Sequence, residues 1–122
     1  METQIENLLD RIYQLIAESY YARSGVVELA LERYSSIEIG LCIWGPNLPS
    51  TPLWLCPEEF KNSLLCNRYK ALASKEDIIF QRFLGELIIV LRTTGYGRVI
   101  LTYKNKRKAF LERSISQKID LI

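Results

Sequence analysis

Along the first segment Ile5, Leu8, Leu9, Ile12, Leu15 and Ile16 recur at intervals of three and four, while Glu6, Asp10, Gln14 and Glu18 fall between them. That spacing places one apolar stripe on a helix. Thr3 and Glu6 match the S/T-x-x-E capping box, and Ser24-Gly25 supplies a stop. The pattern predicts a helix from about residue 4 to 22. From Val26 to Trp44 the period falls to two: Val27, Leu29 and Leu31 alternate with Glu28, Ala30 and Glu32, then Ile37, Ile39, Leu41 and Ile43 alternate with Glu38, Gly40, Cys42 and Trp44. Two strands joined near "RYSS" are expected. Residues 26–32 also fit a short helical face through Val26, Leu29, Ala30 and Arg33, so strand and helix both stand for that segment.

All four prolines fall within "GPNLPSTPLWLCP", which predicts a rigid loop. Its overlapping P-x-x-P matches are too permissive to identify a ligand motif. "PLWL" reads as a short strand leading into a helix that opens on Pro57-Glu58-Glu59. Proline suits the first helical position, and the two carboxylates suit the positive end of the helix dipole. This helix is expected to turn Phe60, Leu64, Leu65 and Leu72 inward and Lys61, Arg68 and Lys75 outward. Ser74, with Asp77 three residues on, caps a third helix reaching about Thr93. Its residues Ile79, Phe80, Phe83, Leu84, Leu87, Ile88 and Leu91 cover so much of the circumference that it belongs in the middle of the core. Gly95 ends it. Val99, Leu101 and Tyr103 then alternate with Ile100, Thr102 and Lys104, and after an Asn105-Lys106 turn a second strand continues through Phe110, Glu112 and Ser114. The order predicts one α+β domain over residues 1–122, an antiparallel sheet of about four to five strands packed with three helices.

Length agrees, because 122 residues with 48% apolar content suffice for one core. The most apolar run, Ile78 to Leu91, is broken by Arg82 and Glu86 and falls short of the roughly 20 residues of a spanning helix, so no membrane partner is expected. "METQIENLLD" carries acidic residues where a secretory signal carries basic ones, which favours a cytoplasmic location.

Charge adds an asymmetry that the net value of +2 conceals. Residues 1–59 hold nine acidic and three basic side chains, residues 60–122 five acidic and thirteen basic. The halves either pair across the fold or leave one acidic and one basic face. The densest run is "TYKNKRK", where Lys104, Lys106, Arg107 and Lys108 crowd the expected hairpin tip. Cations at a tip stay hydrated and discourage edge-to-edge pairing, and they also suit contact with phosphates.

Candidate chemistry is sparse. With no histidine, a Ser-His-Asp triad, a Cys-His dyad and every histidine-ligated metal site are excluded within this chain. Gly95-x-Gly97 is no phosphate loop. Glu58-Glu59 read as a helix start, and Glu6 with Asp10 as an exposed face, in preference to a Mg²⁺ site. Cys42, Cys56 and Cys66 lack metal-site spacing and are expected to be reduced, mostly buried and slow to react. Cys56, just before Pro57, falls at the helix N-cap, where a dipole can activate a thiol, but no base or second cysteine adjoins it. No catalytic residue, metal or cofactor is assigned.

Three segments carry resemblances. "GRVILTYKNKRKAFLERS", through Gly97, Val99, Leu101, Asn105, Leu111, Glu112, Arg113 and Ser114, resembles the hairpin of a short, uncharacterised bacterial family typified by YezD. Lys106 stands where that family has glycine, and the resemblance implies two strands but no role. The order of helices and hairpin is similar to a winged helix with "KNKRK" as the wing, although the helix from Lys75 to Thr93 is too apolar to read a major groove. "PLWLCPEEF" resembles the strand-to-helix junction of small curved-sheet, single-strand-binding domains of the transcriptional-coactivator type.

The expectation is a non-catalytic binding or regulatory module. Nucleic acid or another polyanion would be met by Lys104, Lys106, Arg107 and Lys108, supported by Arg98 and Arg113. The alternative is a protein-interaction subunit, self-associating or in a hetero-complex, that uses Trp44, Leu48, Leu53 and Trp54. A small enzyme of unknown chemistry comes third.

Overall fold

A computed structural model describes residues 2–22, 24–33, 38–44, 53–67, 74–104 and 108–117. The elements run α1 (Glu2–Ala22), β1 (Gly25–Arg33), β2 (Ile39–Trp44), β3 (Leu53–Leu55), α2 (Pro57–Leu65), α3 (Lys75–Thr93), β4 (Gly97–Lys104) and β5 (Lys108–Ile115). The five strands form one sheet in the order β3-β2-β1-β4-β5, antiparallel at every pairing. This is the expected single-domain α+β arrangement. Residues 26–32 are strand: Val27, Leu29 and Leu31 are buried and their neighbours are not, the period of a strand with one covered face.

Hydrophobic burial draws the helices onto that face. Ile5, Leu8, Leu9, Ile12, Leu15 and Ile16 of α1 are buried, as the stripe requires. Phe80, Phe83, Leu84, Leu87, Val90 and Leu91 of α3 meet them over Val27 and Leu29 of β1, Ile39 and Leu41 of β2, and Val99 and Leu101 of β4. Each such side chain contributes about 1.5–3 kcal/mol through its removal from water. α2 adds Phe60 and Leu64, both buried, with Leu65 only partly so. Among the described residues no helix is long and apolar enough to cross a membrane.

Two boundaries differ from the sequence expectation. α1 begins at Glu2, so Thr3 lies inside the helix and does not precede it as a cap. α2 ends at Leu65, where the Cys66 N–H bonds the Asn62 carbonyl, and Lys75 opens α3; Arg68 and Leu72 lie outside the described residues. The Asn67 and Gln81 side-chain amides exchange hydrogen bonds of 3.0 and 3.5 Å, tying the end of α2 to α3.

The start of α3 is built as expected. Ser74 Oγ accepts from the Asp77 N–H, and Asp77 Oδ2 accepts from the Ser74 N–H, both at 3.2 Å. Asp77 does more than cap. Its Oδ1 accepts from the Tyr13 hydroxyl of α1 at 2.5 Å, so one buried carboxylate joins two helices. At the other end Gly95, at φ 75°, donates to the Val90 carbonyl, and Arg33 Nη2 reaches the Leu91 carbonyl at 3.4 Å. Gly97, at φ 154°, has no room for a side chain: a Cβ there would fall 2.2 Å from the Ser114 carbonyl oxygen.

The Tyr13–Asp77 bond makes stability depend on pH at both extremes. Burial works to raise the Asp77 pKa, but the hydrogen bonds from Ser74 and Tyr13 outweigh it and hold the carboxyl below its ordinary value. Its contribution is present above the unfolded carboxylate pKa and is lost as pH falls through the folded one. Tyr13, hydrogen-bonded to that carboxylate and desolvated beside its charge, is pushed up to about 12. Its contribution is fully present below the usual phenol pKa and is lost as pH rises above it through about 12. Replacing Tyr13 by Phe is expected to lower stability by about 2 kcal/mol at neutral pH. The same change should flatten the alkaline limb of the stability profile, as chemical denaturation across pH will report.

Candidate nucleic-acid interface

Strand alternation divides the sheet into a face under the helices and an open face. Val26, Glu28, Ala30 and Glu32 of β1 occupy the open side, and register extends it across the sheet. Val26 sits opposite Thr102, and Thr102 opposite Phe110. Next come Glu28, Ile100 and Glu112, then Ala30, Arg98 and Ser114. Val26 and Phe110 are 47% and 45% exposed, and no described helix packs on this face.

At the hairpin end Lys104 and Lys108 are direct register partners. Like charges in that relation disfavour the pairing unless another interaction offsets them. Three residues, 105–107, connect the two strands; Lys106 and Arg107 are therefore next to this pair in the chain but outside the described residues. All four cations fall within five consecutive residues of the chain.

Arg98 and Arg113 do not join them. Arg98 lies six residues before Lys104, about 20 Å back along the strand, and its Nη1 pairs with Glu28 Oε1 at 3.2 Å. Arg113, opposite buried Val99, sits on the helix-covered side and pairs with Glu86 of α3. Each is matched by a carboxylate of the domain, and the two lie on opposite faces of the sheet.

The helix side of the hairpin end has a different chemistry. Tyr103, opposite Ala109, packs edge-on against Tyr20 with ring centroids 6.4 Å apart, and Tyr20 meets Tyr21 in the same manner at 5.3 Å. The Tyr103 hydroxyl is buried without a hydrogen-bond partner. Burial, helped by Tyr20 and by the negative charge of Glu76, pushes its pKa up to about 12. The Tyr21 hydroxyl donates to Glu76 at 2.7 Å, which raises its pKa as well. Tyrosines and a carboxylate thus back the tip on one side; threonine, valine and phenylalanine lie on the other.

The proposed protein-contact residues occupy the opposite sheet edge. Leu53 turns inward and packs on the core, while Trp54, opposite Gly40, is 48% exposed on the open face. Trp44 takes the register position opposite Glu28, and Leu48 lies outside the described residues. β3 and β5 are separated by the whole sheet, about 19 Å at the usual strand spacing.

The remaining chemistry stays dispersed. Glu58 pairs with Lys61 at 3.3 Å. Among the described residues no three acidic or cysteine side chains gather into a metal-binding group. Cys56 is the α2 N-cap, yet its side chain makes no capping bond. The expectation of mostly buried thiols needs correction: Cys42 and Cys56 are only partly buried and Cys66 is exposed, because α2 ends one residue before it. No known protein-family model matches the chain, nor does any curated protein or solved structure. With the three thiols unequal in exposure, a maleimide reagent under native conditions is expected to modify Cys66 first, Cys42 and Cys56 more slowly; mass mapping at short times reads the order.

Proposed function

We propose that this chain is a non-catalytic binding or regulatory module that contacts nucleic acid through the tip of the β4–β5 hairpin. The observation that carries this reading is the Lys104–Lys108 register pair, with Lys106 and Arg107 between them in the sequence. Mutual repulsion in a two-stranded tip is unfavourable in the free protein. Neutralisation by phosphates relieves it, and the released counterions drive association. Support also comes from what surrounds the tip. Arg98 and Arg113 are committed to Glu28 and Glu86, so the positive field concentrates at one end of one hairpin. The likeness of Gly97–Ser114 to the YezD hairpin brings no activity to add. A reducing, cytoplasmic setting fits the unpaired thiols and belongs to the same proposal.

A second reading rests on Trp54, whose half-exposed indole lies on the short edge strand β3. There the chain would act as a protein-interaction subunit and associate with a second copy. Under that reading light scattering shows a concentration-dependent dimer for the native chain, and Trp54→Ser shifts it to monomer.

For the hairpin, neutralising Lys104, Lys106, Arg107 and Lys108 together is expected to make the slope of log affinity against log salt shallower by nearly one unit for each phosphate contact removed. Sequence preference should hardly change, since phosphate contacts position the chain without reading bases. Fluorescence anisotropy with labelled DNA and RNA at low and moderate salt measures both. Absence of any complex at low salt, where the tip is least screened, sinks the nucleic-acid reading and leaves the protein partner.

A further inference from the structure

We infer that the open sheet face beside the hairpin tip is a stacking platform for one or two unpaired bases, with Phe110 as its centre, so that the preferred ligand is single-stranded nucleic acid. The inference rests on the tip contacting phosphates and deepens that reading.

Phe110 lies on edge strand β5 and is 45% exposed, on the face that no described helix covers. It belongs to the row Val26–Thr102–Phe110, two register positions from the Lys104–Lys108 pair. Phe110 follows Lys108 by two positions, about 7 Å along the strand. A backbone held by the tip therefore delivers its adjoining base to an apolar ring with Thr102 beside it and Val26 one strand further. Base–aromatic stacking with a basic groove beside it is the usual means of holding a single strand without reading its sequence.

Charge limits the platform to that end. The next row carries Glu28 and Glu112 on either side of Ile100, and Glu28 is already occupied by Arg98. Exposed Glu112 repels phosphates, so the strand cannot continue along β5. The helix side of the tip is closed as well, because Glu76 lies beside Tyr21 and Tyr103 there. What remains is a short basic and aromatic corner. A duplex keeps its bases stacked within the helix and cannot offer one to Phe110, while its phosphates can still reach the lysines.

The two contributions separate experimentally. Labelled oligothymidylate and a blunt duplex are titrated, across a salt series, with the full-length native chain, Phe110→Leu, Phe110→Trp and the tip variant lacking its four cations. Phe110→Leu is expected to weaken single-strand binding about tenfold, leave duplex binding unchanged and leave the salt slope unchanged, because the ring carries no charge. Phe110→Trp should retain single-strand affinity. The tip variant should lose both ligands. Thermal melts confirm that the exposed substitutions keep the fold. Equal affinity of the native chain for both ligands, or a Phe110→Leu effect that is absent or common to both, overturns the platform while the tip reading stands. No complex between the native chain and either ligand at low salt overturns the two together.

Discussion

Among the described residues the helices cover one face of the sheet, and much else in the molecule follows from that restriction. β1 is its central strand, and Val27, Leu29 and Leu31 point under the helices while Val26, Glu28, Ala30 and Glu32 point away. A strand whose period is two can bury only alternate residues. Three helices are enough to cover one side of five strands. The helical layer can therefore be nearly all hydrocarbon, with Phe60, Phe80 and Phe83 fully buried. Asp77 enters it fully bonded: it is held by Ser74 and Tyr13 and is the buried charge that joins α1 to α3. Such a carboxylate is tolerated because all its hydrogen bonds favour the ionised form.

Much of this was legible because the period of the hydrophobic pattern reports burial directly. The α1 stripe, the Ser74–Asp77 box and the alternation in β4 each rest on local spacing, and local spacing is what a chain displays. The strand nature of residues 26–32 was not legible alone: Val26, Leu29, Ala30 and Arg33 fit a helix equally well, and pairing with β2 and β4 decides the matter. Register settled the arginines too. Arg98 and Arg113 look like neighbours of the basic turn, yet their parity puts them on opposite faces, and Glu28 and Glu86 reach them from β1 and α3. No spacing rule sees a partner seventy residues away. The Tyr13–Asp77 bond was missed for the same reason, although the capping half of it was visible. Phe110 read only as one more alternating strand residue, because the sequence does not show which face remains open.

The contrast between acidic and basic halves resolves into a matter of threading. β1 and β2 from the acidic half form the middle and one side of the sheet, while β4 and β5 from the basic half form the other. Glu28 with Arg98 is the seam between them, an exposed pair worth little to stability, about 0–1 kcal/mol. Its larger effect is on the field. It matches the β4 cation in the middle of the open face with a carboxylate of β1. Since β5 is an edge of the sheet, the Lys104–Lys108 register pair lies at one corner of it.

An exposed edge strand with an apolar ring on it is a hazard, because its free backbone groups can pair with another chain. β5 meets that hazard with charge at both ends of the exposed row: Lys108 lies before Phe110 and Glu112 after it. The two residues that discourage edge pairing also set the polarity of the face, cation toward the turn and carboxylate toward the sheet interior. Protection of the edge and direction of an anion toward the turn are consequences of one arrangement. The aromatic side chain can stay in water at this position because its neighbours along the strand repel a second strand, and they do so without covering the ring.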